Sequence, residues 1–517
     1  MRFDWKLLLL VVVFTLCIAP TIISYEPYSF RWDDSVYLLR SMTVSKAVWS
    51  GDKRGLVAEI RSDIRPPVMT LLGVPWGPLT SWNAAGKCFI TLTVLTAFFA
   101  AVSLFLLLRI GLNPLYFILA SLCAFAALGP YPVGSDTHFF ATGFLADSLF
   151  AWIAFAAILL IPYETKTSAA STVDGVVRGV LWAAILSAGA LTRVNFFYFL
   201  GLIIPTLFVT RMRQSGLRSA LAASASLAAC SFPAAVYWLR YGLPVLKYGW
   251  SASFGHNADF YKVTWSRFLG YEFRLSPGLL LPVIFVVGGT VYLVFKRREV
   301  VWSRDVLPLL IMVGYCAIAL ASSNREIRFV FSGIIALPYL IGLLIFPEAH
   351  AFSRKSATIA AIVAFCGLVA AGAQMLHRPD RQSIYKSEEV VAQAIDFNAK
   401  RVLLATDSST LNDNLLRIAI AFSSQPSLEP DTLAWRAAAG TPIEDDFHAI
   451  QQSDLVVFQD KSASDLPVSI LDVSLTRPPM TNQRVREYEQ FLQEHTGDVP
   501  ITVVDGMRFY RMRDRLH

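Results

Sequence analysis

The sequence predicts a polytopic α-helical membrane protein of about 11 spans, up to ~13, with a soluble α/β domain at its C-terminal end. Three observations predict this. Charged residues make up 16% of the 517 residues, against about 25% in soluble domains. Hydrophobic residues make up 55%, with a mean hydropathy of +0.51. The long apolar runs stop near residue 376, and short amphipathic and strand-like segments alternate after it. The net charge of +7 does not read as nucleic-acid affinity. Much of it falls in short loops between apolar runs, beside lipid head groups.

The apolar runs cover residues 7–25, 88–109, 113–130, 139–162, 176–192, 195–210, 218–241, 277–296, 305–322, 328–347 and 355–376. Each is near the ~20 residues that cross a hydrocarbon core as a helix. The first follows Met1-Arg-Phe-Asp-Trp-Lys6 and looks like a signal peptide. No small-x-small cleavage site follows cleanly, so it reads as an uncleaved span. With the N-terminus inside, the inner loops carry Arg109, Lys166, Arg211, Arg213, Arg218, Lys296, Arg297, Arg298, Arg304, Arg354 and Lys355. The short outer loops carry Arg193, Arg325 and Arg328. This asymmetry satisfies the positive-inside rule. An odd number of spans then places the C-terminal domain outside, which in a Gram-negative host is the periplasmic side of the inner membrane. The six cysteines (Cys17, Cys88, Cys123, Cys230, Cys316 and Cys366) all lie in apolar segments without a CxxC pair. They read as packing residues rather than a disulfide or zinc framework.

Three outer segments are long. The first, residues 26–87, holds amphipathic stretches at Ser35–Val48 and Leu56–Ile60 that suit helices on the membrane surface. The second, Gly242–Ser276, is rich in aromatics and fits an interfacial belt. The third is the C-terminal domain. Glu388–Asn398, Leu411–Phe422 and Gln483–Glu494 read as helices there. Arg401–Thr406 and Asp454–Phe458 read as strands, and Ile501–Val504 with Met507–Tyr510 reads as a hairpin around Asp505-Gly506. The predicted division is a membrane domain, residues 1–383, and an extracytoplasmic α/β domain, residues 384–517.

Five polar constellations stand out. Arg31-Trp-Asp33-Asp34-Ser35-Val-Tyr37 follows the first span. A carboxylate at the interface can have a raised pKa and act as a general base. It can equally be a solvated loop, or a cap for a helix starting at Ser35. Arg65-Pro66-Pro67-Val68 aims an arginine rigidly, which suits a phosphate or a plain turn. Asp136-Thr-His138 precedes Asp147, which falls about two turns into an apolar run. A carboxylate there is costly, so function is its default reading, with a packing hydrogen bond as the alternative. Thr192-Arg193-Val194-Asn195 breaks a long apolar stretch, and Asn324-Arg325-Glu-Ile-Arg328-Phe329 opens another. Each can be an ordinary charged loop or a snorkelling arginine. Taken together, these acids and cations map to one face, where a lipid-linked anion would sit. A base plus phosphate-binding arginines suits displacement of a lipid phosphate at a sugar anomeric carbon.

In this order the motifs resemble the GT-C superfamily of polyprenyl-phosphate-dependent glycosyltransferases, in the protein O-mannosyltransferase and lipid A aminoarabinose transferase branch. The branch shows Asp-Glu-Ala-x-Tyr in the first outer loop, and this chain has Asp33-Asp34-Ser35-Val36-Tyr37. The branch's basic-Pro-Pro-Leu appears as Arg65-Pro66-Pro67-Val68, and its Thr-x-Asp-Pro-Leu as Leu145-Ala146-Asp147-Ser148-Leu149, without the Thr and Pro. The Thr-Lys-Gly break appears as Thr192-Arg193-Val194, and the late Arg-aromatic pair as Arg328-Phe329. The resemblance covers roughly residues 1–350 and implies Asp33 as general base with Asp34 and Asp147 in the catalytic group. It implies Arg65, Arg193 and Arg328 as ligands of the donor phosphate. Asp136, His138 and Tyr37 take accessory or acceptor roles. Some GT-C branches use a divalent cation. The nearer branch does not need one, so no cofactor is expected. The expected partners are a polyprenyl-phosphate-linked sugar, a lipid, glycan or protein acceptor, and membrane lipids.

Two rivals remain at this stage. A transporter or flippase of lipid-linked sugars would show inverted repeats, broken helices and midplane charge, none of which the sequence displays. A non-catalytic assembly partner would use the C-terminal domain to bind other proteins.

Overall fold

The computed structural model describes residues 5–22, 32–62, 65–127, 131–133, 136–138, 146–166, 171–255, 264–269, 280–296, 302–323, 325, 327–346, 352–373, 381–405, 411–423, 427–433, 436, 441–459, 482–496 and 500–512. The chain opens with α1 (Trp5–Ile22) and three helices of the segment after it, α2 (Trp32–Trp49), α3 (Lys53–Ser62) and α4 (Val68–Leu71). The helices α5 (Asn83–Ile110) and α6 (Pro114–Ala127) follow, then a short antiparallel pair, β1 (Tyr131–Val133) and β2 (Asp136–His138). Next come α7 (Ala146–Thr165), α8 (Thr172–Thr192), α9 (Phe197–Ser215), α10 (Leu217–Cys230), α11 (Phe232–Ser253) and the single turn α12 (Trp265–Arg267). The apolar part closes with α13 (Leu280–Lys296), α14 (Leu307–Ala321), α15 (Phe331–Ile345) and α16 (Arg354–Ala373).

Among the described residues, six helices are long and apolar enough to cross a bilayer, and the bent pair α10–α11 would make a seventh. Four shorter apolar helices, α1, α6, α13 and α15, fall on the other predicted spans. Helix α7 lies at the centre: every residue from Ala146 to Pro162 is buried, as expected of a helix that is apolar all round. It packs against α5, α8, α9, α14 and α15. Close approach of α8 to α10 depends on Gly175 and Gly179, whose spacing puts both on one helix face. A Cβ on Gly179 would lie 2.1 Å from the Ala223 carbonyl oxygen.

The connections bring alternate helix ends together. At one end, the Arg109 guanidinium donates to the Phe352 carbonyl (2.9 Å), and the Lys166 ammonium donates to the Ile110 carbonyl. Arg211 is not a head-group cation, as its position near a span end suggested. It lies inside α9, fully buried, paired with Glu164 and Asp174 and donating to Ser219 Oγ. Glu164 also takes Arg178 (3.2 Å) and the Trp182 indole (3.2 Å). A buried arginine has to be paired, and these acids supply the partners.

Three further expectations are corrected. The run 218–241 is two helices meeting at 53° beside Ser231. Pro233 ends the first path by opening a new helix near its N-terminus, so a broken helix is present. That second helix continues to Ser253, so part of the predicted outer loop is helical. Of the cysteines, Cys230 and Cys366 are exposed rather than packed.

The C-terminal part comprises α17 (Arg381–Asp396), β3 (Arg401–Leu404), α18 (Asp413–Phe422), β4 (Glu429–Thr432), α19 (Ile443–Gln452), β5 (Leu455–Gln459), α20 (Asn482–Thr496), β6 (Thr502–Val504) and β7 (Met507–Arg511). The strand order is β4-β3-β5-β7-β6, with β4, β3 and β5 parallel and β7 antiparallel to both neighbours. Strand alternation splits the core. Val402, Leu404, Leu455, Val457 and Phe509 pack with α17 and α18, and Leu403, Val456, Phe458 and Tyr510 with α19 and α20. The β6–β7 turn has positive φ at Asp505 (47°) and Gly506 (74°), as a two-residue hairpin turn requires.

Candidate functional site

Asp147 and Arg193 form the centre of the site. Asp147 is the second residue of α7, not two turns into it as the apolar run suggested. In the first turn an anion sits at the positive end of the helix dipole. Arg193 follows the last residue of α8 in extended conformation (φ −148°, ψ 142°), and its amide closes the helix on Gly189 O at 3.1 Å. A short 3-10 turn, Val194–Phe196, then leads into α9. The break predicted at Thr192–Asn195 is therefore a tight helix hairpin with Arg193 at its tip. Antiparallel helices bring that tip to the start of α7, and Arg193 Nη2 lies 2.6 Å from Asp147 Oδ1.

The surroundings are apolar and aromatic. The Asp147 side chain is 2% exposed and that of Arg193 15%. The guanidinium lies 5.1 Å from the ring centre of Phe329, which belongs to the 3-10 turn Ile327–Val330. Tyr315 of α14 packs on Phe199 (4.8 Å) and Phe150 (5.9 Å), with Asn195 and both charges of the pair nearby. In such surroundings water screens the pair weakly. Apart from the contact with Asp147, the guanidinium of Arg193 makes no hydrogen bond among the described residues. A guanidinium offers five donors in a rigid fork, so it retains capacity for an anion.

A second basic position lies in the segment between α1 and α5. The Arg65 guanidinium sits 5.2 Å from the ring centre of Tyr37, and its carbonyl accepts from the Tyr237 hydroxyl at 3.4 Å. Arg40, Glu59, Arg65, Pro67, Thr70 and Tyr237 line a small open cleft. Pro66 and Pro67 are buried, and α4 beyond them packs against α8. Helix α11 touches both basic positions, through Tyr237 at Arg65 and through Gly249 at Val194. Those two contacts lie roughly 18 Å apart along the helix axis at ~1.5 Å per residue.

Asp33 and Asp34 occupy the first turn of α2, which begins at Trp32. The helix therefore starts before the acidic pair, and neither aspartate precedes it as a cap at Ser35. Their side chains, with those of Arg328, Asp136 and His138, lie outside the described residues. The backbone places Arg328 next to Phe329, and Asp136 and His138 on β2. Sequence reasoning missed Tyr315, a single polar group in an apolar run, which is a weaker signal than a charge. Asn195 fell inside the predicted break at Thr192–Asn195 without a role of its own. No group of three His, Cys, Asp or Glu that could hold a metal ion occurs among the described residues.

No family model matches this sequence, and no curated protein does. Solved structures do resemble it. One is ArnT from Cupriavidus metallidurans bound to undecaprenyl phosphate, at 12% identity and a TM-score of 0.49, covering 99% of this chain and 98% of that one. Another is the apo oligosaccharyltransferase of Archaeoglobus fulgidus, at 11% identity and a TM-score of 0.48, covering 94% and 73%. A third is AglB from Archaeoglobus fulgidus with an inhibitory peptide and a dolichol-phosphate, at 14% identity and a TM-score of 0.40, covering 88% and 69%.

Proposed function

We propose that the chain is an integral membrane glycosyltransferase of the GT-C kind. It takes a sugar from a polyprenyl-phosphate donor and passes it to a hydroxyl of a lipid, glycan or protein. The observation that carries this reading is the pair of Asp147 and Arg193, a buried carboxylate holding an arginine that still has donors to offer. A phosphate monoanion with a lipid tail matches that chemistry. Polyprenyl phosphates are also bound in two of the similar structures. For this chain the ligand class is assigned on its own arginines.

In this mechanism Asp33 accepts the proton of the acceptor hydroxyl. The oxygen attacks the anomeric carbon from the face opposite the lipid phosphate, a new carbon–oxygen bond forms, and the bond to the phosphate oxygen breaks. The configuration inverts. Charge grows on the departing phosphate, where Arg193, with Arg65 and Arg328, stabilises it. Asp147 holds Arg193 in place. No metal ion takes part. The reaction occurs on the extracytoplasmic side of the inner membrane, the side that carries the C-terminal domain.

A lipid-linked-sugar flippase is the competing class, and the break between α10 and α11 is the feature that favours it. Residues 230–233 at that break carry no charge, however, whereas transporters place ion or substrate sites at such breaks. The test is Asp33→Asn. It is expected to abolish transfer, by at least ~1000-fold, while donor binding and melting temperature stay near wild type. A loss of that size lies within the usual contribution of one acid–base group, ~100- to 10,000-fold. Near-normal turnover by the variant removes Asp33 as the base.

A further inference from the structure

Helix α18 of the C-terminal domain faces two ways. Leu415 and Ile418 pack into the core of the membrane part, and Leu416, Ala419 and Ile420 into the core of the sheet domain. These two sets lie on different faces of one helix. Its partner is α2, the helix that opens with Asp33 and Asp34. A second contact supports the first: the Trp82 indole donates to Glu388 Oε1 (2.9 Å), and its ring meets Phe422 edge-on at 5.3 Å. The domain is thus seated on the first outer segment.

At the join sits Asn412, the N-cap of α18, with no exposed surface. Its Oδ1 accepts from the Leu415 amide at 3.1 Å and from the Ser35 hydroxyl at 3.1 Å. Ser35 is fully buried and immediately follows Asp34. One oxygen therefore ties the start of α18 to the first turn of α2. The Asn412 Nδ2 is buried and has no hydrogen-bond partner among the described residues. An asparagine that leaves a donor unmet is costly for capping alone, since serine or threonine also caps well. The reach of its side chain to Ser35 accounts for the choice.

We infer that Asn412 is a positioning residue for transfer: through Ser35 it fixes the turn of α2 that bears Asp33 and Asp34, so the C-terminal domain is part of the catalytic unit. This rests on the reading of Asp33 as the base. The test uses full-length protein in nanodiscs and measures donor KM, kcat and melting temperature. Asn412→Thr keeps a capping oxygen but shortens the reach. It is expected to keep its melting temperature and donor KM while kcat falls about tenfold. Ser35→Ala should lower kcat similarly, and the double variant should be no worse than either single one. Asn412→Asp keeps both accepted bonds and should restore kcat to within about threefold. Unchanged kcat in Asn412→Thr, multiplying losses in the double variant, or kcat that follows melting temperature would each overturn the clamp. Asp33→Asn measured alongside separates the two failures. An inactive Asp33→Asn with a normal Asn412→Thr overturns the clamp alone. An active Asp33→Asn overturns the base and the clamp's purpose with it.

Discussion

Arg193 is held by a single carboxylate from a neighbouring helix, and that arrangement decides what substitution does. Arg193→Ala removes the guanidinium 2.6 Å from buried Asp147, and breaking a buried pair from one side costs roughly 3–5 kcal/mol. The variant is expected to melt lower and to raise donor KM at least tenfold. Arg193→Lys should recover part of the stability and little of the KM, because an ammonium lacks the planar fork. Steady-state kinetics with circular-dichroism melting checks both, and an unchanged donor KM in Arg193→Ala would contradict the assignment. The positions of this pair were legible because a charge inside an apolar run needs a reason. Their pairing was not, because it depends on which helices become neighbours. The same holds for Arg211. Its place near a span end said head group, and only the fold supplies Glu164 and Asp174 as partners.

Elements were legible where periodicity and turn chemistry agreed. The hairpin at Asp505-Gly506 followed from its turn residues, and the apolar helices from their length. Strand β4 was missed because Glu429-Pro-Asp-Thr432 has no strand propensity. It survives as an edge strand, where proline is tolerated. Helix α19 was missed because it is short and mostly polar, with Glu444, Asp445 and Asp446 in its first turn. The break before Pro233 was visible as a residue and not as an angle. Packing between α8 and α10 offers a direct check. Gly179→Val drives side-chain atoms into the Ala223 backbone and should lower the melting temperature by several degrees. Gly201→Ala, in the interior of α9 with nothing within 4 Å of the added carbon, should leave it the same or slightly higher. Equal stability of the two variants would argue against this helix contact.

Across the whole molecule the helix connections gather Asp147, Arg193 and Phe329 at one end of α7, away from the ion cluster around Glu164 near its other end, while the C-terminal domain is seated on α2. The architecture was readable from composition and spacing. The seating of the domain on α2 was not, because amphipathic α18 reads from sequence as an ordinary domain helix with one apolar face. The central claim is that this face transfers a sugar from a lipid phosphate. The most direct measurement incubates purified protein in nanodiscs with a panel of polyprenyl-phosphate sugars and candidate acceptors, with and without a chelator, and follows the products by mass spectrometry. The account predicts free polyprenyl phosphate and a glycosylated acceptor from at least one donor, in equal yield with the chelator present. Recovery of every donor intact, or its movement across the bilayer without cleavage, would contradict it.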